Sequence, residues 1–218
     1  MRDDRTNGLL ALGGIALAAT LAVIGHVEVN DDLDPWSLTV SDFAVSDRGG
    51  VIDVAMVVLA AASAHLFPAL RGTRRPRVVG LLLAAWIGGL LLAAVVPTNE
   101  PGLPMDTAAY VHRYASVVAF LALPPAGWLL AERGTRAGVW LRGLVLAGLA
   151  LAAATVWSAY LGDRALIGLA ERLLILAEAG LLTVVAVGLV RRTRSATAGP
   201  DLGPARRHHR TVTPARAA

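Results

Sequence analysis

Six long apolar blocks alternate with short polar segments along the chain, at about 8–28, 51–70, 78–96, 110–131, 138–160 and 168–190. Each is close to the roughly 20 residues that a helix needs to cross a hydrocarbon core. Hydrocarbon offers the backbone neither donors nor acceptors, so such a block must satisfy its own N–H and C=O groups as a helix. A transmembrane barrel would show short segments of alternating polarity, and the chain has none of that pattern. The pattern therefore predicts an all-α, polytopic integral membrane protein. Its six-helix domain covers 1–192, and a tail over 193–218 follows. That tail is rich in Pro, Gly, Arg and Ala without an apolar period, so it is expected to be disordered. No clear internal repeat relates the two halves.

Composition agrees: 56% of residues are hydrophobic, too many for an ordinary soluble domain of this length. Charge then orients the bundle. All basic side chains are Arg, and they fall on alternating sides of the six blocks. One side holds Arg2, Arg5, Arg71, Arg74, Arg75, Arg77, Arg133, Arg136 and Arg142, with Arg191, Arg192, Arg194, Arg206, Arg207, Arg210 and Arg216 of the tail, sixteen in all. The other side has four, Arg48, Arg113, Arg164 and Arg172. The positive-inside rule puts both termini in the cytoplasm, and the expected location is a bacterial cytoplasmic (inner) membrane. Because topology accounts for the arginines, the basic isoelectric point does not point to nucleic acid; the lipid bilayer is the expected partner. The first block is longer than the apolar stretch of a signal peptide and is read as a retained helix. The chain has no cysteine, so disulfides and thiolate metal sites are excluded.

Against this background the acids stand out. Asp31, Asp32, Asp34, Asp42 and Asp47 lie between the first and second blocks, and Glu28 and Asp53 lie in the facing ends of those blocks, all on the outer face. Trp36, Tyr110, Tyr114, Trp157 and Tyr160 are expected at the outer interface, and Trp128 and Trp140 at the inner one. His26, Asp53, His112, Arg113, Glu171 and Arg172 lie at the outer ends of helices. As interfacial charge they would form ion pairs such as Glu171 with Arg113 or Asp53 with Arg172. As a site, Ser41, Asp42, Asp53, His112, Arg113, Glu171 and Arg172 would bind a cation, a lipid headgroup or a small substrate.

Two ionisable residues lie deeper. Glu178 follows Glu171 by seven residues, which puts it on the same helix face about 10 Å further in. A charge at the bilayer centre costs about 2.5–3.5 kcal/mol on insertion scales. Glu178 is therefore either a protonatable carboxylate facing a polar interior or a neutral acid bonded to a neighbouring helix. His65, about a turn from the inner end of the second block, is expected to reach a headgroup or a backbone carbonyl. His208 and His209 belong to the solvated basic tail.

An ordered set of short motifs resembles a family. The stretch "DPWSLTVSDFA", the Pro of "VVPTNEP", the His of "AAYVHRYAS" and "GLAERL" together resemble the bacterial and archaeal membrane family catalogued as domain of unknown function 998. The matching residues are Pro35, Ser37, Ser41, Asp42, Pro97 and His112, with Glu171 and Arg172 in the final motif. Asn99 stands where the family often has an acid, which weakens a two-carboxylate site. The resemblance spans about 8–190 and implies six helices and candidate residues, without an activity.

Four functions follow from the residues. A small transporter, proton-coupled if Glu178 supplies the titrating group, is supported by Pro124–Pro125 as a helix kink; six short helices would then be expected to work as a homo-oligomer. A metal-dependent lipid hydrolase would draw zinc ligands from His26, Asp53 and His112, although no helix carries His-x-x-x-His. A Ser41 nucleophile lacks a glycine-flanked elbow. Haem would use His26 and His112, at similar depth on different helices. A partner subunit or scaffold would use the small residues Gly13, Gly14, Gly88 and Gly89 for close helix contacts. The sequence favours an outward-facing site that binds or transports a small molecule, and no cofactor is expected.

Overall fold

The computed structural model describes residues 2–28, 31–46, 50–71, 73–100 and 102–197. Seven α-helices and no strand occur among the described residues. In chain order they are α1 Arg2–Val27, α2 Val40–Ser46, α3 Val51–Ala64, α4 Pro76–Val95, α5 Thr107–Leu130, α6 Arg136–Tyr160 and α7 Ile167–Thr197. Six segments are long and apolar enough to cross a membrane: Asp4–Val27, Val51–Leu70, Pro76–Val95, Thr107–Leu130, Arg136–Tyr160 and Ile167–Arg192. All six apolar blocks are thus helical spans. The chain is a multi-pass membrane protein. Of the tail expected to be disordered over 193–218, residues 193–197 instead continue α7 to Thr197, and the rest, with His208 and His209, lies outside the described residues.

Local chemistry sets the element boundaries. Pro68 supplies no N–H and its ring opposes a continuing helix, so α3 ends and a 3-10 turn, Phe67–Leu70, completes that span. Pro76 opens α4 at its first turn, where a missing N–H costs nothing. Asp106 caps α5 by accepting the Ala109 N–H at 2.8 Å, and Thr135 caps α6 through the Gly138 N–H at 2.9 Å. Helix α5 continues through Pro124 and Pro125.

Each span packs on the next in sequence, and α7 returns to α1, which closes a ring in the order α1, α3, α4, α5, α6, α7. Lipid tails are as apolar as leucine, so close packing and buried polar contacts hold such a ring. A Cβ on Gly14 would sit 2.6 Å from Ala62 Cβ, and one on Gly89 would sit 2.6 Å from the Ala115 carbonyl oxygen. Those two glycines let α1 approach α3 and α4 approach α5; Gly13 and Gly88 face open space. The buried Ser63 hydroxyl donates to Leu59 O at 2.8 Å and accepts Trp86 Nε1–H at 2.9 Å, tying α3 to α4. His65 bonds Asn7 Oδ1 of α1 at 3.0 Å, a side chain where a headgroup or carbonyl was expected. Leu81, Val95, Leu146 and Leu176 stand exposed on the outside of the ring, as lipid-facing residues do. The interfacial aromatics Trp36, Tyr110, Tyr114, Trp128, Trp140, Trp157 and Tyr160 are exposed as well.

Candidate functional site

The acidic window folds. Thr39 and Asp42 form a reciprocal cap: the Thr39 N–H donates to Asp42 Oδ2 at 2.7 Å, and the Asp42 N–H donates to Thr39 Oγ1 at 3.2 Å. This Thr-x-x-acid box starts α2. One face of α2 then buries Phe43 and Ala44 against Ile52 of α3. Upstream, Asp34 holds the turn that leads in. It accepts the Ser37 hydroxyl and the Trp36 N–H, which together hold its carboxyl below the usual range.

Helix α7 clamps this loop from the other side. Glu171 Oε2 accepts the Val40 N–H at 2.8 Å. Arg172 Nη1 donates to Pro35 O and Leu38 O, each at 2.8 Å, and its guanidinium lies over the Phe43 ring at 4.8 Å. The Gly168 N–H donates to Trp36 O at 3.0 Å. A Cβ on Gly168 would strike the Leu38 and Pro35 carbonyl oxygens, so only glycine lets the loop lie this close. Asp42 also takes Arg164 at 3.0 Å, from a turn in which Asp163, Arg164 and Leu166 all have positive φ. Non-glycine residues are held in that conformation only where the surroundings determine it.

Held in this way, α2 presents Ser41 to α5. Ser41 Oγ lies 2.9 Å from His112 Nε2, and His112 Nδ1 lies 2.9 Å from Val96 O. The Val96 carbonyl is available because Pro97 follows it. A residue before proline is driven to extended backbone, and Val96 has φ −90°, ψ 118°, which ends α4. A carbonyl only accepts, so Nδ1 carries the proton, and in the neutral ring Nε2 offers its lone pair to the Ser41 hydroxyl. His112 is buried, with 5% of its surface exposed. Beside the pair is a cleft of about 120 Å³, walled by Ala44, Ala93 and Val96 and reached by Ser41, Asp53 and His112.

The residues expected from the sequence thus divide into groups. Ser41, Asp53 and His112 meet at the cleft. Asp42, Glu171 and Arg172 are spent on building the loop that carries Ser41. Arg113 is exposed on α5 and takes no part; Glu171 and Arg172, expected to pair with Arg113 and Asp53, are turned to backbone groups of the loop. His26 stacks on Phe43 at 4.5 Å and bonds Ala22 O through Nδ1, away from the cleft lining. No group of three His, Asp or Glu suited to a metal occurs among the described residues. Both ring nitrogens of His112 are engaged by the protein, so a haem ligand there would first have to break one of those bonds.

Glu178 lies deeper on α7, 1% exposed, and both its carboxyl oxygens lack a hydrogen-bond partner among the described residues. The neighbouring-helix bond expected of a structural acid is absent. Sequence reasoning missed α2, Arg164, Gly168 and the Val96 carbonyl. For α2 a signal existed: Thr39-x-x-Asp42 followed by Phe43 and Ala44 is a cap and an apolar face, hidden by the shortness of the element.

The model of a family described as "Protein of unknown function (DUF998)" matches residues 11–188. No curated protein and no solved structure matches the chain.

Proposed function

We infer, for a chain that belongs to the DUF998 family, that its work is to bind a small polar or amphiphilic molecule in the cleft at the end of the bundle away from the termini. The observation that carries this is the cleft itself: three polar residues from α2, α3 and α5 meet over alkyl walls, the mixture typical of small-molecule sites. By the positive-inside rule that end faces outward, level with the outer lipid headgroups. Asp53 favours a ligand with a hydrogen-bond-donating or cationic head, such as the ammonium of an aminolipid. The test is native mass spectrometry from nanodiscs of phosphatidylethanolamine and phosphatidylglycerol. Wild type is expected to retain phosphatidylethanolamine, and Ala94→Leu, which fills the cleft wall, to lose at least ten-fold of it. Equal retention by both proteins would overturn the reading.

A second reading, transport of that molecule coupled to protons, is favoured by Glu178. An acid with no protein partner at the centre of a bundle is a common mark of a proton pathway. Proteoliposomes carrying Glu178→Gln should then lose the proton flux shown by wild type; equal flux would remove the reading.

A further inference from the structure

We propose that Ser41 and His112 are a nucleophile–base pair that cleaves a small carboxylic ester seated in the cleft. The proposal rests on the reading of the cleft as a ligand site and adds chemistry to it. Three parts are needed to activate a serine: the hydroxyl, a base within hydrogen-bond reach, and a third group that orients the base. All three are here, on three different elements. Ser41 Oγ is 2.9 Å from Nε2, and Val96 O is 2.9 Å from Nδ1. The carbonyl takes the place that a carboxylate holds in a Ser-His-Asp triad, and fixes the tautomer in the same way.

The surroundings suit the chemistry. His112 lines the cleft together with Ser41 and Asp53, but it is buried where Ser41 is half-exposed. The base is thus shielded and the nucleophile accessible. The alkyl walls at Ala44, Ala93 and Val96 favour a neutral ester. Thr98, on the same wall, carries a hydroxyl for the developing oxyanion. The arrangement around the pair is also more elaborate than a tether between α2 and α5 requires. The Thr39–Asp42 cap, the Arg164 ion pair and the α7 clamp already hold α2, so its position does not depend on the Ser41 bond.

The steps balance with water as the only co-reactant. Ser41 Oγ bonds to the ester carbonyl carbon as its proton passes to His112 Nε2. The bond from that carbon to the alcohol oxygen breaks, and the leaving oxygen takes the proton from Nε2. Water then attacks the acyl-serine, gives a proton to Nε2, and the restored Ser41 oxygen takes it as the carboxylic acid departs.

The experiment uses the full chain in nanodiscs with a short-chain alkyl fluorophosphonate, which loses fluoride when a serine oxygen attacks its phosphorus. Wild type is expected to carry the label at Ser41, and His112→Gln, which keeps a hydrogen-bonding side chain but no base, to react about 100-fold more slowly or less. In parallel, Ser41→Cys is treated with a small neutral methanethiosulfonate. Reaction of that cysteine without fluorophosphonate labelling of wild type would overturn the nucleophile and leave the ligand cleft intact. Failure of both reactions would overturn the cleft and the nucleophile together. Equal labelling of wild type and His112→Gln would overturn the base.

Discussion

Replacing Glu178 with leucine should make the protein more stable. The two side chains are similar in volume, so the steric cost of the exchange is small, under about 1.5 kcal/mol for a volume-conserving swap. The gain comes from removing two buried oxygens that have no partner. Each buried polar group left unsatisfied costs about 1–3 kcal/mol. The reference state reduces this, because a helix separated in lipid also holds its acid in hydrocarbon or finds some other partner. A net gain of about 1–3 kcal/mol for Glu178→Leu follows from these terms. Glu178→Gln keeps two polar atoms in the same place and should stay within about 0.5 kcal/mol of wild type on the same reasoning. Reversible unfolding by denaturing detergent in mixed micelles, followed by circular dichroism, measures both. The difference between Leu and Gln is the decisive quantity, since it cancels changes in charge. If leucine were no more stable than glutamine, the carboxyl would have to be satisfied by a bound water or ion, and the reasoning would fail.

Two further outcomes follow from the packing. Asp42→Asn weakens both the α2 cap and the Arg164 ion pair; hydrogen exchange of residues 39–46 should rise by about five-fold, equivalent to the roughly 1 kcal/mol of a cap, and unchanged exchange would show that α7 alone holds the loop. Gly89→Ala puts a Cβ 2.6 Å from the Ala115 carbonyl oxygen and should cost about 1–3 kcal/mol, whereas Gly88→Ala, with nothing nearby, should be neutral or slightly stabilising in thermal unfolding. Similar losses in both variants would refute the close approach of α4 to α5.

The spans were legible because hydrocarbon leaves a long apolar run only one answer. Their neighbours were less so. Which of Gly13 and Gly14 touches another helix depends on rotation about the axis, and both lie in an almost wholly apolar run. Around the cleft, residue type marked out a group of polar side chains but not the contacts each of them makes. Glu171 and Arg172 look in the sequence like a charged pair in search of ions. In the fold they serve backbone groups 131 to 137 residues away, and contacts between a side chain and a distant peptide leave no mark on sequence pattern. His112 was legible as a costly residue near the interface; its partner Ser41 was discounted for want of a glycine elbow. The orienting carbonyl of Val96 could be found only from Pro97, as a rule about backbone, once α5 was known to pass beside it.

The closed ring of helices also sets an order of assembly. The most extensive contacts between spans join sequence neighbours except the seam where α7 meets α1, with smaller contacts of α7 to α5 and to the 3-10 turn of the second span, so five interfaces form locally as the chain emerges and the seam must wait for the end. Local interfaces form fast, and the distant one carries the loop-closure entropy. The clamp on the Ser41 loop belongs to α7, the last span to arrive. A growing chain therefore holds its cleft unassembled until synthesis is nearly finished, and the same event that seals the bundle completes the site. An assembled cleft becomes a report on a finished fold.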